Sequence, residues 1–396
     1  MKVFGSLLLT LALLSACSNP VEKEKCPCKV KVRVLQPDGT YKRETVELKT
    51  LEDPNSIQSS KIRITMNPRF FKDGSVSELT PEAQYFVNED NVIVPKTALS
   101  EQMFTLYKIM EDLFFFDKSI GADQVLTYPR YVSIYERADS SMDNGFYIPA
   151  YDRIRILTYN GDKAPLSWNS GVIAHEHFHA IFQKIVKSTI YTIGLDYEGK
   201  AFSSQAAAEE VDANTGYNYL ILKALDEGLA DYWGQLHTGL SDSYQTSYES
   251  FDINRKVLPI VYKMDSQESL KDTLDFRSYV IEDLSSKGKS RPINGLVYEK
   301  GVKYSNLIKS MSDKLFPEDN AASLEDRKKL QGEWIISSLK KLSEIVYTKG
   351  KSEALSQADI LNSFVPDEKA GRSEICSDLN TFLTVHESKV VACLGQ

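Results

Sequence analysis

The segment that most constrains this chain is Gly171–Gln183, GVIAHEHFHAIFQ, a mainly apolar stretch with a polar cluster at its centre. His175 and His179 are four residues apart, so on a helix both imidazoles leave the same face and can share one tetrahedral zinc ion. Glu176 lies one position further round, where its carboxylate can act as a general base on water without occupying a coordination position. The segment is therefore predicted to be a buried helix with an HExxH metal motif.

Two histidines cannot hold a catalytic zinc ion by themselves, so a further ligand must come from elsewhere in the chain. A third histidine six residues after His179 is excluded, because that position is Ile185. The segment Ala224–Gly234, ALDEGLADYWG, offers Glu227 and Asp231 on one helix face. We expect Glu227 to be the third ligand. We expect Asp231 to accept a hydrogen bond from the outer nitrogen of a ligating histidine.

The ligand helix also carries small residues. Gly228 and Ala230 leave little bulk beside Glu227, which would let this helix lie against the histidine helix. Glu209 and Glu210, in the sequence AAAEEVDAN, are the alternative ligands if Glu227 is only a solvated helix carboxylate.

The N-terminus predicts where this chemistry operates. Lys2 precedes the apolar run 3–14, VFGSLLLTLALL, which has the length of a signal-peptide core rather than of a membrane span. The sequence LSAC, ending at Cys17, resembles a bacterial lipobox, so Cys17 is expected to be lipidated after removal of residues 1–16. Ser18 in place of aspartate favours the outer membrane, where the organism has one. The alternative is an ordinary signal peptide with a chance cysteine.

Charge and cysteine content narrow the function classes. The formal net charge of −8 does not favour nucleic acid or an anionic membrane face as a partner. In an oxidising compartment the four cysteines other than Cys17 allow three pairings. We favour a disulfide between Cys376 and Cys393. A redox or metal role for Cys26 and Cys28 is a weaker alternative, because proline separates them and no third ligand lies nearby.

Hydrophobic periodicity predicts an α+β protein with a β-rich first part and a helical second part. The predicted elements are a tether at 18–29, a hairpin over 30–48, a linker over 52–60, a helix over 99–113, strands over 130–136 and 145–157, and helices from 173 onward that end with one over 334–346.

HExxH followed by Glu227 and, four residues on, Asp231 resembles the gluzincins, which include the thermolysin-like and fungalysin-like zinc peptidases. The resemblance extends from Tyr131 to His237, with a separate patch near Tyr298. It implies a two-lobed zincin-type fold with a cleft between a β-rich N-terminal lobe and a helical C-terminal lobe. It also implies bound Zn2+ and a protein or peptide substrate. The gap between His179 and Glu227 is longer than in thermolysin, so an insertion must be accommodated near the cleft.

The resemblance implies roles for two further segments. Asn144, Gly145 and Phe146 are similar to the strand at the cleft rim that pairs with substrate backbone in that family. Tyr298 stands before Gly301 where the family has a histidine, and its phenol could donate a hydrogen bond to the oxyanion.

The expected function is therefore peptide-bond hydrolysis by a lipid-anchored, monomeric zinc metallopeptidase in the cell envelope. The rival is a non-catalytic zinc-binding surface lipoprotein, an adhesin or assembly factor. A complete HExxH disfavours it, because metal binding alone does not need Glu176. The expected divisions are a signal peptide at 1–16, a lipidated tether and hairpin at 17–60, an N-terminal lobe at 61–240 and a C-terminal lobe at 241–396.

Overall fold

A computed structural model of the chain has both helices and mixed sheets, which confirms the predicted α+β class. Strands dominate the N-terminal region and helices the C-terminal region, also as predicted. The structure describes residues 29–71, 74–136, 144–158, 164–188, 213–247, 255–260, 292–350, 353–367, 371–383 and 393. The predicted signal peptide, Cys17, Cys26, Cys28, Glu209 and Glu210 lie outside these ranges.

The strands form two sheets. The first has the order β2-β1-β6-β5 and contains the predicted hairpin, whose turn includes Gly39 at a φ of 79°. The second has the order β4-β3-β7-β9-β8, with a parallel centre and antiparallel strands at both edges. The strands are β1 (Lys29–Leu35), β2 (Tyr41–Glu47), β3 (Ile62–Phe70), β4 (Val76–Leu79), β5 (Tyr85–Val87), β6 (Val92–Pro95), β7 (Arg130–Glu136), β8 (Asn144–Ile148) and β9 (Arg153–Thr158).

Seven α-helices are described. They are α1 (Ala98–Ile120), α2 (Ser170–Phe182), α3 (Ala213–Thr238), α4 (Pro292–Leu315), α5 (Leu324–Lys349), α6 (Gln357–Asn362) and α7 (Arg372–Phe382). A π-helical turn, Gln183–Lys187, follows α2 directly. No helix in the described ranges is both long enough and apolar enough to cross a membrane.

Alternation along the strands builds the core of the second sheet. Val132, Ile134, Ile154 and Ile156 are fully buried, because every second side chain of β7 and β9 points to the same face. Apolar residues of α1 and α2 belong to the same continuous core, and this packing holds α2 beside the sheet.

An asparagine fixes the start of α2. Asn169 is fully buried, and its side-chain oxygen accepts from the backbone N–H groups of Gly171 and Val172. These are donors that a helix start leaves without helical partners. Its side-chain nitrogen donates to the carbonyl of Ser243, so the same residue ties α2 to the chain that follows α3.

Two local predictions were wrong. The expected linker over 52–60 is a packed turn in which Ile57 is fully buried and Asp53 pairs with Gln58. The expected strand over 145–157 is two strands, because Pro149 starts a short 3-10 turn between them. The predicted pairing of Cys376 with Cys393 is present as a disulfide.

Candidate metal centre

The metal motif lies on α2 as predicted. The Nε2 atoms of His175 and His179 are 3.0 Å apart, with their rings nearly perpendicular. His175, Glu176 and His179 form a group whose ligand atoms all lie within 4.8 Å of one another, so this group could hold a metal ion. His175 and Glu176 are buried, at 2 % and 7 % exposed, whereas His179 is partly exposed.

Glu227 on α3 approaches the same two imidazoles. Its Oε2 atom lies 3.4 Å from His175 Nε2 and 3.8 Å from His179 Nε2. Ligand atoms about 2.0–2.2 Å from a tetrahedral metal are about 3.3–3.6 Å from one another. The triangle formed by the two nitrogens and this oxygen has sides of 3.0, 3.4 and 3.8 Å, which span that spacing, so small movements of the side chains would fit it to a tetrahedral cation.

Close helix crossings at glycines bring these residues together. A Cβ on Gly234 of α3 would lie 2.8 Å from the carbonyl oxygen of Gly171 on α2. A Cβ on Gly228 would lie 2.3 Å from the carbonyl oxygen of Gly301, on α4. The expectation that Gly228 faces the histidine helix was therefore wrong: Gly234 makes that contact, and Gly228 lets α4 approach Glu227 from the other side.

Asp231 lies beside one of the histidines. The Oδ1 atom of Asp231 is 3.0 Å from His175 Nδ1, close enough for a hydrogen bond but without the required angle. Arg255 in turn donates from Nε to Asp231 Oδ2 at 2.9 Å and from Nη2 to Glu227 Oε2 at 3.1 Å. The structure thus brings Asp231 to the outer nitrogen of His175, where the sequence predicts it, and adds an arginine that links it to Glu227.

The other histidine has its own carboxylate. His179 Nδ1 lies 2.8 Å from Asp226 Oδ1, and Lys187 Nζ lies 3.1 Å from Asp226 Oδ2. Each imidazole is therefore the end of a chain of three side chains: a cation, a carboxylate and the histidine. Carboxylates in this position fix the tautomer and the orientation of metal-binding histidines.

Glu176 lies beside the edge strand β8. Its Oε2 atom accepts a hydrogen bond from the backbone N–H of Tyr147 at 2.8 Å. A Cβ on Gly145 would lie 3.1 Å from Glu176 Cγ, so glycine lets the strand approach this carboxylate closely. The segment Asn144–Phe146 is thus next to the predicted general base, with Phe146 exposed.

Two tyrosine rings flank Arg255. Its guanidinium carbon lies 4.8 Å from the ring centre of Tyr244 and 4.8 Å from that of Tyr298. The charge of Glu227 and burial both raise the pKa of Tyr298, which keeps its phenol protonated. Tyr298 therefore lies at the site as the sequence predicts. Tyr244, whose ring centre is 5.8 Å from that of His175, was not predicted.

The charges of the buried side chains favour a dication. The carboxylates of Glu176, Asp226, Glu227 and Asp231 are offset by two cations in contact with them, Lys187 and Arg255, so two negative charges remain if both histidines are neutral. Buried charge of this size needs a counter-ion. Without a counter-ion, bound protons offset this charge. Burial and Arg255 lower the pKa of His175, but contacts with Asp231 and Glu227 outweigh them and raise it to about 9.

The surroundings of the other two candidate ligands, His179 and Glu227, favour the charged form of each, although their pKa values move in opposite directions. Burial lowers the pKa of His179, but Asp226 and Glu227 overcome that effect and raise it. Burial also opposes ionisation of Glu227, yet the adjacent charges of His179 and Arg255 hold the pKa of this carboxyl well below its usual range. An ionised carboxylate oxygen and two imidazole nitrogens are atoms that a divalent metal ion can bind.

The remaining histidines near this helix do not belong to the site. His177 is buried on the opposite side of α2, where its Nε2 atom lies 2.8 Å from Asp117 Oδ2 of α1. Burial lowers the pKa of His237 to about 4, and none of the candidate ligands is among the groups that act on it, which include Asp112, Lys328 and His177.

Sequence reasoning missed four residues of this centre. Asp226 immediately precedes Glu227, so its position was the one available signal. Lys187 and Arg255 have no local pattern that points to the site, and Tyr244 is one of 21 tyrosines, so composition could not single it out. No protein-family model matches the chain, and no curated protein matches it either.

Proposed function

We propose that this protein is a zinc-dependent peptidase of gluzincin type, in which His175, His179 and Glu227 hold the metal. The observation that carries the proposal is the triangle of two imidazole nitrogens and one carboxylate oxygen, with the carboxylate of Glu176 beside it. Metal binding alone would not require Glu176, whereas hydrolysis requires a base close to the metal.

Zinc, when bound in such a site, supplies Lewis acidity that activates water near neutral pH. Glu176 accepts the proton from that water and later delivers it to the leaving amine. The hydrogen bond from Tyr147 N–H holds one oxygen of the carboxylate, so its orientation is set by the β8 backbone. Tyr298 donates its phenol proton in a hydrogen bond to the developing oxyanion.

The edge strand supports a peptide as the substrate. Among the described strands, β8 pairs with β9 alone, so its outer edge offers backbone donors and acceptors for an extended chain. Peptides bind such edges by adding a strand. Because Glu176 is held by this same strand, a peptide bound there would run past the general base.

The compartment is part of the proposal. A lipobox-like sequence ending at Cys17 supports a protein anchored by lipid in the cell envelope, with its catalytic part outside the cytoplasm. The Cys376–Cys393 disulfide fits an oxidising compartment. The substrates would then be extracytoplasmic proteins or peptides.

Hydrolysis of a mixed peptide library by the purified chain tests the function. We expect cleavage that a chelator abolishes and that added Zn2+ restores, and the product termini would give the cleavage rule. Stoichiometric zinc without hydrolysis of any peptide in the library would reject the peptidase and leave the non-catalytic zinc lipoprotein.

A further inference from the structure

The turn that follows the metal helix has an unusual geometry. Residues Gln183–Lys187 form a π-helix, and Ser188 N–H donates to the carbonyl of Gln183, five residues back. π-helices are rare, and single π turns occur frequently at functional sites. The wider turn changes the direction in which the following side chains leave the helix, compared with their direction in a continuous α-helix.

The consequence concerns Lys187. His179 and Lys187 are eight residues apart. In a continuous α-helix of about 3.6 residues per turn, eight residues overshoot two turns by almost a quarter turn. One α turn followed by one π turn, which is wider by nearly a residue, takes about eight residues. The π turn thus brings Lys187 onto the helix face of His179.

On that face Lys187 contacts Asp226. Asp226 is 3 % exposed, with His179 Nδ1 at 2.8 Å from one oxygen and Lys187 Nζ at 3.1 Å from the other. With only one oxygen engaged, a carboxylate can rotate about its bond to Cβ. With both engaged, its direction is fixed, and so is the imidazole that it contacts.

We propose that Lys187 is a positioning residue for the metal centre: held on the His179 face by the π turn, it locks Asp226 and thereby aims His179 Nε2 at the metal. The proposal rests on the assignment of His179 as a zinc ligand. Lys187 itself touches neither metal nor substrate.

Two effects of Lys187 on metal affinity have opposite signs. Its positive charge repels a dication through space, whereas its contact with Asp226 favours binding by orienting His179. Removing the lysine alone would mix the two effects. A double-mutant cycle with Asp226→Asn separates them, because the through-space repulsion is present whether position 226 carries aspartate or asparagine, and so it cancels.

The experiment measures the Kd for Zn2+, by competition with a chromophoric chelator, in the full chain and in Lys187→Met, Asp226→Asn and the double variant. We expect Lys187→Met to weaken binding at least about five-fold more in the parent chain than in the Asp226→Asn background. The Co2+ ligand-field spectrum should change with Lys187→Met only when Asp226 is present.

Lys184 provides the matched control. It lies in the same π turn, but its Nζ atom pairs with Asp152 Oδ2 at 3.0 Å, away from the metal ligands. Lys184→Met should show no coupling with Asp226→Asn. If Lys187→Met does not fold, Lys187→Arg keeps a donor for Asp226 and should bind Zn2+ within about two-fold of the parent.

Additive effects of Lys187→Met and Asp226→Asn, or equal coupling for Lys184→Met, would overturn the proposal. So would a Lys187→Arg variant that loses Zn2+ as fully as Asp226→Asn. A parent chain that binds no Zn2+ overturns both this proposal and the proposed function. A chain that shows the coupling but hydrolyses no peptide rejects the peptidase alone.

Discussion

Two glutamates in the centre have different surroundings, and these surroundings suit different roles. Glu227 Oε2 lies against both imidazoles and accepts from Arg255, so it is held where a ligand is needed. Glu176 Oε2 accepts instead from the backbone N–H of Tyr147. A base must take and release a proton without leaving its position, and a backbone donor on a strand can provide that anchor.

The glutamine variant of Glu176 separates the two roles. Glu176→Gln keeps the size of the side chain but cannot accept the proton, so kcat should fall by about 10²- to 10⁴-fold. Zinc content should stay close to that of the parent, because no ligand is removed. Steady-state peptide hydrolysis and elemental analysis of the same samples check this. Turnover at the parental rate would remove Glu176 from the mechanism.

Tyr298 tests the oxyanion donor. Tyr298→Phe removes the hydroxyl and keeps the ring beside Arg255, so kcat should fall by up to about 10²- to 10³-fold with KM nearly unchanged. Tyr244→Phe is the matched variant, since its ring lies at the same distance, 4.8 Å, from the same guanidinium. A Tyr298→Phe enzyme with normal kcat would show that the donor is another group, and loss only in Tyr244→Phe would identify it.

At the scale of elements, the centre depends on three helices that approach one another closely. Helix α3 touches α2 at Gly234 and α4 at Gly228, with backbone against backbone in both places. Glu227 precedes Gly228, and Tyr298 lies one turn before Gly301. The second crossing therefore determines how near the predicted ligand and the predicted oxyanion donor are to each other.

Alanine at this crossing should separate the helices. A Cβ at Gly228 would lie 2.3 Å from the Gly301 carbonyl, whereas a Cβ at Gly301 would have its nearest neighbours at 3.2 Å. Gly228→Ala should lower the free energy of unfolding by about 1–3 kcal/mol through overpacking and should weaken zinc binding. Gly301→Ala should cost less, because its neighbours need to move little and alanine favours the helix. Denaturant unfolding and zinc titration of both variants check this. Equal stability and equal zinc affinity of the Gly228→Ala and Gly301→Ala variants would contradict a role for the close approach of α3 and α4 at Gly228.

Sequence patterns predicted the elements and residues with a local signature. The spacing of His175 and His179 requires only one helix turn, and the pair Glu227 and Asp231 repeats that spacing on a second helix. Arg255 could not be predicted, because it reaches Asp231 from a segment without periodicity. The turn over 52–60 was misread as a linker, because the burial of Ile57 depends on contacts distant in sequence.

At the scale of the whole molecule, the N-terminal sequence predicts attachment to a membrane through lipid on Cys17. Cys17→Ser would remove the proposed lipid attachment site, so the protein should move from the membrane fraction to the soluble fraction. The proposed peptidase activity should be unchanged, since the proposed metal ligands, base and oxyanion donor are on α2, α3 and α4. Fractionation with labelled fatty acid checks this. Unchanged membrane association of Cys17→Ser, together with no fatty-acid label on the parent, would contradict the proposed lipid anchor.

The zinc content of Glu227→Ala tests the central claim most directly, measured by elemental analysis beside the parent and Glu176→Gln. We predict about one zinc per chain in the parent and in Glu176→Gln, and little or none in Glu227→Ala, because two histidines alone do not hold a catalytic zinc. Asp231→Ala should weaken binding by about 10- to 100-fold without abolishing it. A Glu227→Ala chain that retains its zinc, while Glu209→Ala or Glu210→Ala loses it, would contradict the account.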